Sequence, residues 1–421
     1  MKMTKKAMSL MLAATMLGSV VTGCSSSKGD TSTPSTEGTG VNNGEKVELT
    51  IGISADPVEV DLVTQQAEAY MEKNPNVKLV VEPIAGDIWE VLKTRMVSNA
   101  EPDIFYMDIF QAAQFIDAGK LASLDDLFTA EELADFEPAL VNGFKGQDGV
   151  LYGIPKDFST LALYYNKKMF EEAGITPPTT WEELESAAKA LTKDGVVGLS
   201  LQNGIDRVQP FFYSNGGSML EDGKPTLNNP KNIEAYEFWL SLLKNGYAQT
   251  PQQLGVGWDG DAFAGEHVAM TVEGTWMIAN LQEIAPDLEY GVVPVPQKEQ
   301  PASMQFTVAY SMSKSTKNPD VAKDVIKFLT SEEQQKLITD AGRAMPSRKS
   351  SLEAFVQAWP DRKVFAEAAP VASEFNYGVI SSTVVAEAAK AMEKLLLDSA
   401  ITVKEAFDEA QANIDKALSN Q

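Results

Sequence analysis

From Lys46 to the end of the chain, strand and helix signals alternate strictly, and this constrains the fold more than any other feature. "KVELTIGIS" sets Val47, Leu49, Ile51 and Ile53 on one face, the period of a strand. Leu62, Val63, Ala67, Tyr70 and Met71 then recur at helical spacing, and that helix stops before Asn74-Pro75. "NVKLVVEPI" reads as a second strand, and Asp87 as the cap of a helix with Ile88, Val91, Leu92 and Met96 on its apolar face. "DIFYMDIF" is a third strand, and "QAAQFIDAGK" a helix closed by Gly119. Such alternation predicts a parallel sheet with helices on its faces. The 421 residues, 44% of them apolar, are too many for one compact core and fit two lobes.

A second series starts after "LYGIPKDFST" with the strand "LALYYN" and a helix over Lys168–Gly174. In "PPTTWEEL", Thr180 and Glu183 form a capping box, and Trp181 in the first turn reads as core. The strand "VVGLSLQ", the helix "NIEAYEFWLSLLKNG" and the strands "YGVVPVP" and "FTVAYSMS" continue the pattern. Helices are predicted over Val321–Leu329, over Ser331–Ala341 and in the tail from Ser381. "AMTVEGTWMIANL" runs from a strand into a helix, with Gly274 as a tight turn and Trp276 just past it. That indole either anchors the helix in the core or walls a binding site.

Ligands of open α/β sheets sit beyond the carboxyl ends of the strands. This selects the loops carrying Asp56, Asp87 to Trp89, and Asp108 to Phe110. Asp56 and Asp108 read equally as helix caps or as acceptors facing a crevice. The sequence holds neither GxxxxGK[ST] nor a strand-GxGxxG-helix, so nucleotide binding has no support and no cofactor is implied. With one Cys and one His, a Cys/His zinc site is impossible, and His267 reads as a strand-end residue. Tyr164 and Tyr165 face opposite sides of a strand and cannot share a metal. "WDGDAFAGE" lacks the ligand positions of a calcium loop and reads as a helix start. A formal charge of −24 repels phosphate backbones, so nucleic acid is not an expected partner.

Residues 1–23 combine Lys2, Lys5 and Lys6 with an apolar stretch over Ala7–Val21, a secretory signal peptide too short to span a membrane. The following "VTGC" resembles the lipobox of bacterial lipoproteins, which implies that Cys24 receives a diacylglyceryl group and a further acyl chain such as palmitate, and becomes the mature N-terminus. Residues 24–45 are rich in Ser, Thr and Gly and form a flexible tether of roughly 25 Å. The expected location is extracytoplasmic, on a membrane face.

Several segments match one family in order: "KNPNVKL", "EPDIFYMD", "LYGIPKDFSTLALYYNKKMFEEAGI", "PPTTWEELESAAKAL", "DAFAGEHVAMTVEGTWM", "YGVVPVP" and "GRAMPSRKS". Together they resemble the family 1 extracellular solute-binding proteins of ABC importers, the group related to maltose-binding protein. The resemblance implies an α/β fold of the two-lobed periplasmic-binding-protein type (type II), with the ligand in a cleft between lobes. It places residues 46–155 plus 280–342 in the N-terminal lobe and 156–279 plus 343–421 in the C-terminal lobe. It also implies a cleft that closes by hinge motion and a monomer, not an enzyme, expected to dock on membrane permease subunits.

Carried over motif by motif, the resemblance implies ligand contacts from Asp157 and Ser159 at the hinge, and from Trp276 as a sugar-stacking ring with Glu273 as a hydroxyl partner. It further implies Trp258, Asn203 in "LQNG", Arg343 in "GRAMPSR", and Tyr310 at the end of "FTVAY". The first-lobe loops add Asp56, Trp89, Asp108 and Phe110. Aromatic platforms match the apolar face of a pyranose, and carboxylates, amides and Arg match its hydroxyls. An oligosaccharide is therefore the expected ligand. Alternatives are another polar solute such as a polyol phosphate, which would want a basic cleft, and a secreted glycoside hydrolase, which needs two suitably spaced carboxylates.

Overall fold

The computed structural model describes residues 46–377 and 380–420. The first sheet holds, in spatial order, Val77–Ile84, Val47–Ser54, Ile104–Asp108, Val308–Met312 and Gly153–Pro155. Its first three strands are parallel, as the alternation predicts. Leu49, Ile51 and Ile53 are fully buried. Each contributes about 1.5–3 kcal/mol, and a one-residue slip would expose all three, so the register is fixed.

The sheet is mixed rather than purely parallel, a departure from the expectation. Val308–Met312 runs antiparallel to both neighbours, with Tyr310 opposite Tyr106 and Ile154. The reason lies in its entry point: it starts at the carboxyl end of Ile104–Asp108, where Val308 faces Asp108. A strand entering from that end must run backwards. "FTVAYSMS" is accordingly two strands broken at Thr307, whose hydroxyl donates to the Asp157 carbonyl at 2.6 Å.

The second sheet is ordered Ala248–Gln249, Val197–Ser200, Val268–Glu273, Ala162–Asn166 and Tyr290–Val293. Between the two lies a short sheet of Met345–Pro346, Asp157–Thr160, Ser303–Phe306 and Ala372–Ser373. The chain passes from Gly153–Pro155 through Asp157–Thr160 into Ala162–Asn166 almost without interruption. It returns from Tyr290–Val293 through Ser303–Phe306 into Val308–Met312. Each passage is a run of three strands, one in each of the three sheets. The expected boundary put residues 280–342 with the first lobe. Tyr290–Val293 instead pairs with Ala162–Asn166 in the second sheet, so the return passage begins after Val293.

Trp181 is 1% exposed and stacks on Phe238 at 4.5 Å, so it is core. The Thr180 hydroxyl accepts from the Glu183 amide, but the Glu183 carboxylate reaches one residue further back, to the amide and hydroxyl of Thr179. Among the described residues, no helix is long and apolar enough to cross a membrane.

Candidate ligand-binding site

A cavity of about 270 Å³ opens where the carboxyl ends of the first sheet meet the linking strands. Asp56 follows the strand Val47–Ser54. It caps the next helix, its Oδ1 accepting from the Val58 and Glu59 amides. It also accepts both Nη groups of Arg343, at 2.7 and 2.6 Å. Gly342, at φ +64°, ends the helix Glu332–Ala341 in the left-handed region and turns Arg343 toward that carboxylate. Burial pushes the Asp56 carboxyl up, but the Arg343 bonds and charge outweigh it and hold it below the ordinary range.

Behind this pair lies a buried charge cluster. Lys156 sits between the first sheet and the linking strand, only 3% exposed. Its ammonium bonds the Asp157 carboxylate, lies 3.1 Å from Glu59 Oε2, and stands 4.8 Å above the Tyr106 ring. The Tyr106 hydroxyl donates to the same Glu59 oxygen at 2.7 Å. Burial disfavours the Lys156 charge, yet the Asp157 and Glu59 carboxylates overcome it and hold its pKa above the ordinary value. For Glu59, too, burial is opposed and outweighed, chiefly by the Lys156 charge, and its carboxyl is held low.

Asp108 is both a cap and a cavity wall. Its Oδ1 accepts from the Phe110 amide at 2.8 Å, and its side chain lines the cavity. Burial, with the nearby charges of Asp206 and Asp157, pushes its carboxyl up to about 7. The unfolded carboxyl titrates near ~3.9, so the folded chain binds the extra proton between about pH 4 and 7 and stability falls as pH rises through that window. Asp108→Asn is expected to remove this part of the fall. Its gain in melting temperature over the wild type should be larger at about pH 8 than at about pH 5; an equal difference at both would refute the assignment.

The lining also carries aromatic rings. Trp276 opens the helix Trp276–Ile284, directly after Val268–Glu273. Its indole Nε1 donates to Glu273 Oε2 at 2.8 Å, and its ring meets Phe306 edge-on at 5.1 Å. Gly274 stands at the strand-to-helix turn without a left-handed φ. A Cβ there would lie 2.2 Å from the Trp276 ring, so glycine is needed because the indole lies across it. Trp276 and Phe306 line the cavity together with the carboxylates.

A family model of the bacterial extracellular solute-binding proteins matches residues 65–364. The chain belongs to this family. A Brucella abortus binding protein is 28% identical over 298 residues, covering 67% of this chain and 71% of that one. The galactooligosaccharide-binding protein of Bacillus subtilis is 25% identical over 369 residues, 83% and 82% of the two chains. Among solved structures, an ABC substrate-binding protein of Listeria monocytogenes in complex with cycloalternan superposes with a TM-score of 0.79 at 24% identity, covering 89% of this chain and 100% of that one. The fold is thus the two-lobed, maltose-binding-like type, and this solute-binding protein is an extracytoplasmic receptor.

The cavity of this solute-binding protein brings together Asp56, Asp108, Asp157, Ser159, Trp276 and Arg343. Ser159 is also structural: its hydroxyl accepts from the Thr275 amide at 2.9 Å, tying the hinge to the start of the Trp276 helix. The other candidates lie elsewhere. Glu273 is fully buried, and its oxygens already serve Arg207, Trp276 and the Gly274 amide. Tyr310 is 1% exposed inside the first sheet, edge-on to Tyr106. Asn203 accepts from the Tyr236 hydroxyl. Trp258 precedes the helix Asp259–Ala264 and donates to Asp261. Trp89 packs half-buried on the core, and Phe110 stands behind Phe306 at 5.2 Å.

Glu59, Tyr106, Lys156 and Phe306 also line the cavity, and sequence reasoning missed them. Tyr106 had a signal: two residues before Asp108 on a strand, it shares that residue's face. Glu59 lies three residues after Asp56, on the same side of the first helical turn. Lys156 had none, because its burial depends on carboxylates from separate elements.

Proposed function

We propose that this solute-binding protein is a receptor for an uncharged sugar, in particular an oligosaccharide, delivered to the membrane permease of an ABC importer. The observation that carries the reading is a cavity lining that combines the aromatic rings of Trp276 and Phe306 with hydrogen-bonding carboxylates. That combination matches the apolar face and hydroxyl rim of a pyranose. The galactooligosaccharide-binding relative and the structure with cycloalternan support it. An anionic solute such as a polyol phosphate fits less well, since the cations lining the cavity, Lys156 and Arg343, are already bonded to carboxylates. On this reading the chain works as a monomer, the lobes close about the linking strands, and bound sugar is released unchanged.

A thermal-shift screen over mono- and oligosaccharides tests the proposal, because a ligand of the folded form raises the melting temperature. Failure of every neutral sugar, with stabilisation by a phosphorylated polyol, would replace it. Cleavage products after prolonged incubation would make the protein a hydrolase.

The signal peptide over residues 1–23, the acylation of Cys24 and the tether over 24–45 lie outside the described residues and form part of the same proposal. Cys24→Ser is expected to shift the protein from the membrane fraction to the soluble one, read by immunoblot. Undiminished membrane attachment would rule out a lipid anchor at that residue.

A further inference from the structure

We propose that Arg207 is the positioning residue of the aromatic wall: bonded to Glu273 and seated against Phe306 and Trp276, its guanidinium fixes one orientation of the Trp276 indole before any solute arrives. This rests on the reading of the cavity as a sugar site. Arg207 lies in the first turn of the helix Ile205–Ser214. Its Nη2 donates to both Glu273 oxygens, at 3.2 and 3.1 Å, and its Nη1 to Asp206 at 2.6 Å. The guanidinium carbon is 4.9 Å from the Phe306 ring centre and 5.6 Å from that of Trp276.

Three elements thus converge on the indole at the start of its own helix: the helix of Arg207, the end of a second-sheet strand and a linking strand. Arg207 meets Glu273, Trp276 and Phe306 alike. Its Nε is buried with no hydrogen-bond partner, so its pose is set by the Glu273 and Asp206 carboxylates together with the two rings. Arg207 does not line the cavity. On this proposal it acts on a solute through Trp276 and Phe306, which do line the cavity. Glu273, fully buried, would be an uncompensated charge without it and would have to shift or take up a proton, disturbing the bond it makes to the indole N–H. A platform that is ordered in advance spares the solute the cost of ordering it.

The test uses the full chain with 15N-labelled tryptophan. The Trp276 indole resonance is identified by its loss in Trp276→Phe. In Arg207→Met without ligand, that resonance is expected to move and broaden, and affinity for the probe maltotriose to fall by about tenfold. Arg207→Lys should recover part of both effects. An unmoved resonance with wild-type affinity overturns the proposal. So does a lost affinity with an unmoved resonance, which would place Arg207 against the solute itself. Should Arg207→Met not fold, Glu273→Gln takes its place, with the same shift expected and an unshifted signal counting against. Should wild-type protein bind no sugar, the sugar reading fails, while the resonance in ligand-free protein still decides the role of Arg207.

Discussion

Trp276→Ala is expected to weaken sugar binding more than tenfold while lowering the melting temperature only modestly. A tenfold loss is about 1.4 kcal/mol, and a truncated aromatic hot spot commonly costs about 2 kcal/mol or more. The two halves of the prediction have separate origins. Trp276 is half-buried and lines the cavity, so its apolar face is available to a ring of the solute. The helix it begins is anchored without it, by Met277, Ile278 and Leu281, each at most 1% exposed. Glu273 loses one donor in the variant but keeps the Arg207 pair. Titration calorimetry with the tightest-binding sugar, beside a thermal melt, gives both numbers. Unchanged affinity with a large drop in melting temperature would return Trp276 to the core.

Lys156→Met is expected to destabilise the fold by about 3–5 kcal/mol at neutral pH, the usual cost of removing one partner of a buried ion pair. Lys156 neutralises Asp157 and Glu59 where water is largely excluded. Met restores the volume but leaves the two carboxylates facing each other. They can then escape only by taking up protons, so the deficit should shrink as pH falls toward about 5, where that uptake is easier. Urea denaturation across pH measures this. An exposed pair gives the contrast: Lys73 and Glu333 are 2.9 Å apart, with side chains 54% and 66% exposed, and Lys73→Met should change stability by less than about 1 kcal/mol. A Lys156→Met cost as small as that would mean the cluster is solvated and is no buried network.

The fold was legible to a large extent because its elements carry local signals. The strand Val47–Ser54 and the helix Pro57–Lys73 follow from periodicity, Asp87 caps a helix as its position predicts, and Asp56 and Asp108, open between cap and cavity acceptor, are both. The direction of Val308–Met312 was not legible, since a strand's own residues do not record which end of a sheet it enters. The assignment of Tyr290–Val293 to the second sheet was hidden in the same way.

For the site, residues at strand ends and motif positions were found, while those defined by their partners were not. Asp56 could be placed at a strand's carboxyl end from sequence alone. That Arg343 would meet it, 287 positions away, follows only from the left-handed turn at Gly342. Glu273 and Trp276 were singled out together, but burial made one the support and the other the surface. The sequence by itself determined the alternating elements, the caps and the family. The tertiary structure alone decided which carboxylates are spent on cations and which still face the cavity. Pattern and propensity act over a few residues, whereas charge pairing and desolvation depend on what the chain brings close across hundreds.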